Sequence, residues 1–307
     1  MHQKGDFIMS FNQKKYSDVI SKTVNDFFML PVSEESRIMG IRKLAEFICR
    51  RLLDMNDTQT FTLGALNHMD KPLKESCLNN AKLVDFFKQN ANTIRTFGND
   101  AIHTQHTEGF NSKEIKRIDK ALINLYAVLF IKYFLQHPLS IYNKNSLIAV
   151  FMFSLLPPVI RFKTLNFLYK NDNSNIQIIN KLCLAYIKTF GKEEAYSWLD
   201  QNKKSINAIK YPSEKEQYKY YELCPITYKN GEPKFIVSIK FYDFNNMYDL
   251  LKNKIDDRNT SINESGKLYN NLSEAKKYFE NAKKSFKLEP KEILELLYLL
   301  EFCYLGR

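Results

Sequence analysis

The apolar residues between Ser112 and Phe134 recur every three or four positions, and this spacing constrains the fold more than any other feature of the sequence. The recurring positions are Ile115, Ile118, Leu122, Leu125, Leu129 and Tyr133. Such spacing lines up apolar side chains on one face of an α-helix. A helix with one apolar face must pack against other helices to bury it, so the sequence predicts a helical bundle.

The same periodicity predicts further helices over residues 11–30, 33–52 and 62–90 and over most of 139–210. Ser33 is expected to cap the second helix, whose core positions are Ile38, Ile41, Ala45, Ile48 and Leu52, with Arg37, Lys43, Arg50 and Arg51 outside. The 307 residues include 41 Phe and Tyr but nine Gly and nine Pro, which favours a compact, mainly helical protein over a disordered one.

The pattern changes after Pro212. Residues 218–228 and 234–242 are rich in β-branched and aromatic side chains, and Lys229-Asn-Gly-Glu-Pro233 has the composition of a turn. These features predict a β-hairpin, followed by helices over 245–256, 273–286 and 290–305. The predicted fold class is therefore mainly α, with an α+β region at the C-terminal end.

Two proline-containing steps suggest domain boundaries. His137-Pro138 ends the long helix, and Tyr211-Pro212 precedes the strand-like segment. The predicted organisation is a helical bundle over 1–137, a helical segment over 138–210 and an α+β domain over 211–307.

The formal net charge of +11, from 45 basic and 34 acidic residues, favours a polyanionic partner such as nucleic acid. A Lys- and Asn-rich composition from an AT-rich genome explains the same surplus without any function. The uncharged run from Asn145 to Ile160 is too short to span a bilayer, and Met1 to Ser10 lacks the apolar core of a signal peptide. These features predict a cytoplasmic protein without a membrane partner.

The five cysteines, Cys49, Cys77, Cys183, Cys224 and Cys303, are widely separated. They form no CxxC pair or Cys/His cluster, which favours buried reduced thiols over a metal site or disulfides. The sequence contains no Walker loop, Gly-x-Ser-x-Gly elbow or HExxH motif. We therefore expect neither a metal nor another cofactor.

The candidate site lies in the stretch from Ile94 to His106. On an uninterrupted helix, Arg95, Asn99, His103 and His106 fall at roughly 0°, 40°, 80° and 20° around the axis and share one face. A guanidinium can bind phosphate, a carboxamide can orient neighbours, and imidazoles move protons near neutral pH. Gly98 disfavours a helix interior, so an alternative is that Gly98 ends one helix and Asn99 caps the next.

The spacing Arg-x-x-Gly-Asn-x-x-x-His, from Arg95 to His103, resembles the HEPN superfamily when combined with an upstream Arg-x-x-x-Glu pair, Arg42 and Glu46. It is most similar to the branch fused to type I restriction enzymes and other bacterial defence proteins, and covers roughly residues 20–135. Arg42 and Glu46 have a second interpretation, an ion pair on the helix surface.

The resemblance implies a metal-independent endoribonuclease that works as a homodimer in a bacterial anti-phage defence or toxin-like system. His103 would act as acid or base, Arg95 would bind the scissile phosphate, and Asn99 would fix His103 or the ribose. His106 could supply a second imidazole, and Glu46 could hold an arginine near the cleft.

Seven residues separate Arg95 from His103, and Thr96 follows the arginine, which departs from the superfamily's usual pattern. Several branches with altered spacing are thought to bind nucleic acid or protein partners without cutting. The alternative is therefore a non-catalytic nucleic-acid-binding or assembly subunit of a larger defence complex.

A second candidate surface lies near the C-terminal end. Lys276, Lys277, Lys283 and Lys284 stud one predicted helix. They form either a solvated helix face or a surface that binds nucleic acid.

Overall fold

The computed structural model describes residues 11–29, 31–102, 109–224, 226–229, 232–235, 239–257, 272–283 and 291–305. Nearly all the regular structure in these residues is helical, which confirms the mainly α fold class. The α-helices are α1 (Gln13–Val24), α2 (Glu34–Leu52), α3 (Asp70–Ser76), α4 (Ala81–Asp100), α5 (Ser112–Gln136), α6 (Lys144–Phe153), α7 (Pro158–Asn171), α8 (Ile176–Phe190), α9 (Lys192–Gln201), α10 (Lys203–Asn207), α11 (Glu214–Leu223), α12 (Met247–Asp256), α13 (Leu272–Lys283) and α14 (Lys291–Leu305).

The chain divides into two compact units. The first comprises Met1–Lys132 and Glu301–Arg307, and the second comprises Tyr133–Leu300. The division lies within α5 and again within α14. The three domains suggested by the sequence, 1–137, 138–210 and 211–307, stay a prediction.

In the first unit, α2 packs against α1 and α4. Its N-terminus is capped as expected, because Ser33 Oγ accepts a hydrogen bond of 3.2 Å from the Ser36 backbone N–H. All five predicted core positions of α2 are at most 1% exposed: Ile38, Ile41, Ala45, Ile48 and Leu52. The apolar spacing therefore identified the buried face of this helix correctly.

Arg51 was expected outside the core but is only 7% exposed. Its guanidinium lies over the ring of Phe11, 5.9 Å from the ring centroid. An arginine can bury its aliphatic stem and stack its planar cation on an aromatic face, so helical spacing alone misplaced this residue.

The second unit is built from α7, α8, α9 and α12. α8 packs against each of the other three. Gly191 separates α8 from α9 and adopts a positive φ of 100°, a conformation that glycine reaches without steric cost. Tyr186 of α8 stacks on Trp198 of α9 with ring centroids 5.1 Å apart. This contact fixes the two helices after the sharp turn between them.

The predicted strand over residues 218–228 is wrong at its start, because 214–223 form α11. Ser213 and Glu216 make a capping box, in which the Glu216 carboxylate accepts from the Ser213 backbone N–H at 2.8 Å. This cap starts a helix that overrides the β propensity of the tyrosines that follow.

A short hairpin does follow. β1 (Ile226–Lys229) pairs antiparallel with β2 (Glu232–Phe235), with Ile226 opposite Phe235. The middle of the predicted turn, residues 230 and 231, lies outside the described residues. Farther along the predicted second strand, Phe241–Asp243 form a 3₁₀ turn. In the part of the chain that is described, the C-terminal region is thus helical with one hairpin.

The apolar run from Asn145 to Ile160 is divided between two helices. α6 ends at Phe153 and α7 begins at Pro158. Across all the residues described, no helix has the combination of length and apolarity needed to cross a bilayer.

Candidate functional site

Arg42, Glu46 and Asn99 meet where α2 packs against α4. The Arg42 guanidinium donates a hydrogen bond through Nη1 to the Asn99 carboxamide oxygen. Its Nε lies 3.9 Å from Glu46 Oε1, one turn farther along α2. The Arg42 and Glu46 side chains are 21% and 25% exposed, so this contact is half-buried. We call these three residues the α2–α4 cluster.

Gly98 allows Arg42 to reach Asn99. A Cβ at position 98 would lie 2.7 Å from Arg42 Cδ and 3.2 Å from its Cβ and Cγ. The stem of the arginine therefore passes directly over the glycine backbone. α4 continues through Gly98 to Asp100, so the alternative in which the helix stops at Gly98 is wrong. The cost of a glycine inside a helix is offset by this close packing.

Glu46 is held from both helical and loop segments. Its Oε1 accepts a hydrogen bond of 3.3 Å from the Leu63 backbone N–H. Burial raises the pKa of the Glu46 carboxyl, and the Leu63 hydrogen bond and the charges of Arg42 and Arg50 oppose that rise. The pair of Arg42 and Glu46 is therefore more enclosed than a solvated surface ion pair, and it fixes the guanidinium beside α4.

Arg95 lies one turn before Asn99 on α4. Its side chain is half-buried, and its Nε is buried without a hydrogen-bond partner among the described residues. A buried guanidinium N–H without a partner is unusual in a folded protein. Arg95 is thus the member of the predicted set that has donor capacity for a ligand.

His103 and His106 lie outside the described residues. After α4 ends at Asp100, the structure describes a turn through Ala101 and Ile102. The predicted shared face is therefore described for Arg95 and Asn99, and the placement of both histidines stays a prediction.

A basic residue that the sequence reading did not select lies beside the same end of α4. The guanidinium of Arg117, on α5, is 5.6 Å from the ring centroid of Phe97. Phe110 meets the same ring edge to face at 6.2 Å. Arg117 is exposed, and its only sequence signal is the basic run Lys116-Arg117. It adds a cation to the surroundings of the α2–α4 cluster.

The lysine-rich helix is α13. Lys277 is exposed, Lys276 and Lys283 are half-buried, and Lys284 lies outside the described residues. Ala275 and Phe279 form the buried side of this helix. This arrangement fits a solvated face as well as a nucleic-acid surface.

Cysteine and metal chemistry contribute nothing visible to the site. All five cysteines are free and buried. Burial raises the pKa of the Cys49 thiol well above its usual range, and the charge of Glu46 adds to this effect. Among the described residues, no group of three or more His, Cys, Asp or Glu side chains is arranged to hold a metal ion.

Comparison with protein-family models, with curated proteins and with solved structures finds no match to this chain. The resemblance to the HEPN superfamily therefore rests on the spacing of its residues, and it stays a prediction.

Proposed function

We propose that this protein is a metal-independent endoribonuclease that acts as a homodimer in a bacterial anti-phage defence or toxin-like system. The observation that supports the proposal most strongly is the convergence of α2 and α4. It brings the Arg42 guanidinium to the Asn99 carboxamide one turn from Arg95, at the helix end that leads to His103.

Each group has a role in cleaving RNA. RNA carries its own nucleophile, the 2′-hydroxyl, so the enzyme needs an acid or base near that oxygen and a cation for the scissile phosphate. His103 would move the proton. Arg95, whose Nε lacks a partner among the described residues, would bind the phosphate. Asn99, held by Arg42, would orient the histidine or the ribose.

The dimer would supply the second proton-transfer group. One chain offers His103 and, three residues later, His106. Two chains placed symmetrically around one cleft would provide both an acid and a base. Sedimentation of the purified protein tests this part of the proposal, with a dimer expected.

A second function is favoured by one feature of the same cluster. Arg42 and Asn99 bind each other, and Arg42 also lies beside Glu46, so these side chains already hold α2 to α4. A cluster with this structural role would serve a non-catalytic subunit that binds nucleic acid or a larger defence-complex partner. Arg117 and the α13 lysines, Lys276, Lys277, Lys283 and Lys284, would then contribute to the binding surface.

A cleavage assay separates the two functions. Labelled RNA is incubated with the full chain and a metal chelator, beside His103→Ala and Arg95→Ala. His68→Ala is the matched control, because His68 is exposed and lies away from α4, on the 3₁₀ turn Leu63–His68. The nuclease proposal expects cleavage by the wild type and by His68→Ala, with a loss of about a hundredfold or more in the other two. Salt-sensitive binding without cleavage by any of the four would support the subunit instead.

A further inference from the structure

Four cationic side chains of the second unit lie close enough to act on one another. Arg161 belongs to α7, Lys181 and Lys188 to α8, and Lys254 to α12. α8 packs against both of the other helices. The positive charges of Lys254, Arg161 and Lys188 all act on Lys181. We call these four residues the cationic cluster.

The cluster holds its charges at a cost. Burial lowers the pKa of Lys181 to about 7, and the three neighbouring cations lower it further. Burial also lowers the pKa values of Lys188 and Lys254 to about 8. The charge of Arg161 acts on Lys188 as well. Like charges brought together in a poorly solvated region destabilise the protein unless an anion joins them.

The acidic groups that act on the cluster do so at one edge. Cys183 and Asp257 both raise the pKa of Lys254, while the exposed Lys240 lowers it. For Lys181 and Lys188, every charge that acts within the described part of the chain is positive. The interior side of the cluster thus has an excess of positive charge.

Two neutral side chains on α8 add to this excess of donors. Gln177 is 1% exposed and Asn180 is 0% exposed, and the described residues offer no hydrogen-bond partner to either atom of either amide. They lie four residues and one residue before Lys181 on the same helix. Buried amides nearly always have partners, so two such groups beside a cationic cluster indicate a polar ligand.

The enclosure of the cluster limits the size of this ligand. Arg161 is 6% exposed, while the three lysines are partly exposed. A nucleic-acid helix cannot reach a guanidinium at that depth, whereas a small anion can. The planar fork of an arginine matches phosphate oxygens, and lysines add point charges around them.

We propose that α7, α8 and α12 form a binding site for a small anion that carries two or more phosphate groups. Arg161 would bind phosphate oxygens in bidentate fashion, and Lys181, Lys188 and Lys254 would neutralise the remaining charge. The amides of Gln177 and Asn180 would donate to the same oxygens. The site is independent of the proposed nuclease chemistry, since all of these residues belong to the second unit.

Calorimetry with inorganic pyrophosphate on the full chain tests the proposal. Lys181→Met is the test variant, with Lys254→Met as its duplicate, and Lys204→Met is the matched control because Lys204 is exposed on α10. We expect pyrophosphate binding that weakens with salt and falls about tenfold to a hundredfold in the test variants, but not in the control. Absence of binding to the wild type would overturn the proposal.

Thermal unfolding distinguishes a ligand site from a structural cluster. Without pyrophosphate, Lys181→Met should raise Tm, because it removes a buried like charge and keeps the side-chain volume. With pyrophosphate, Tm should rise for the wild type and the control only. A Tm lowered by Lys181→Met without any ligand would show that the lysine holds the fold together, and would contradict the proposal.

Further probes define the chemical class. Tripolyphosphate and ATP separate an inorganic polyphosphate from a nucleotide, and stronger binding of ATP would assign the base a contact. Binding of both supports a phosphate site. Equal binding of citrate, or binding of single-stranded RNA in place of pyrophosphate, would overturn the assignment to a small polyphosphate.

Discussion

The α2–α4 cluster and the cationic cluster both bury arginine between packed helices, but they treat its charge in opposite ways. Arg42 donates to Asn99 and lies beside the Glu46 carboxylate. Arg161 lies among lysines, two α8 amides there have no partner in the described chain, and the nearby carboxylate Asp257 acts on Lys254. The first arrangement completes its contacts within the protein, whereas the second has an unmatched requirement for an anion.

The largest expected difference between the two clusters is in the effect of pH on stability. The pKa of Lys181 is about 7 in the folded protein, and those of Lys188 and Lys254 are about 8, against a usual value of 10.5. Between pH 7 and 10 the unfolded chain therefore binds more protons than the folded one. The free energy of unfolding should rise with pH in this range, by up to about 1.4 kcal/mol per pH unit for each lysine.

Denaturant titrations at several pH values, without phosphate, measure this rise. The destabilisation should be fully present below pH 7 and relieved as the lysines lose their protons. Lys181→Met should reduce the slope and Lys204→Met should leave it unchanged. A wild-type stability that falls between pH 7 and 10 would contradict the excess of positive charge at this cluster.

Removing one cation should have opposite signs in the two clusters. Arg42→Ala deletes a charged hydrogen bond to Asn99 and should lower the free energy of unfolding by about 1.5–3 kcal/mol. Lys181→Met should raise it at pH 7, for the reason given above. Urea titrations of both variants against the wild type measure the two effects. The same sign for both variants would remove the basis of the comparison.

Gly98→Ala should destabilise by a smaller amount, about 1 kcal/mol, because the new Cβ displaces the Arg42 stem and the gain in helix propensity offsets part of this. The effect should vanish when Arg42→Ala is already present, since the atom at 2.7 Å is then gone. A double-mutant cycle measures this coupling. Additive effects would show that the glycine has another role.

The smallest expected effect is that of Glu46→Gln. Because the pKa of Glu46 is raised, its ionised form is disfavoured in the folded protein above the usual carboxyl range. Glutamine keeps an acceptor for the Leu63 N–H and loses the partial ion pair with Arg42. These changes oppose each other, so stability at pH 7 should change by less than about 1 kcal/mol. Glu46→Ala removes the acceptor as well and should destabilise more.

Sequence patterns predicted the helices well where spacing and capping agree. Ser33 and the apolar stripe of α2 determined both the start and the buried face of that helix. The tyrosines at 218, 220 and 221 indicated a strand, and the Ser213–Glu216 capping box made a helix instead. Local composition and a local cap conflicted there, and the cap decided the outcome.

The two clusters differ in how far sequence could identify them. Arg42 and Asn99 were selected because of their spacing, although their direct hydrogen bond joins residues 57 apart. Gly98 first indicated a helix break, and only the packing of Arg42 explains it. The cationic cluster had no sequence signal, since Arg161, Lys181 and Lys254 each look like ordinary basic residues on separate helices. Tertiary packing brings them together.

The most direct test of the central proposal is the identity of the RNA ends produced by the purified chain in the presence of chelator. Attack by the 2′-hydroxyl predicts a 2′,3′-cyclic phosphate on one fragment and a 5′-hydroxyl on the other, detected by mass spectrometry. The same substrate with a 2′-deoxy group at the cut position should remain intact. Cleavage of that deoxy substrate, or ends bearing a 5′-phosphate that appear only with added metal, would contradict the account.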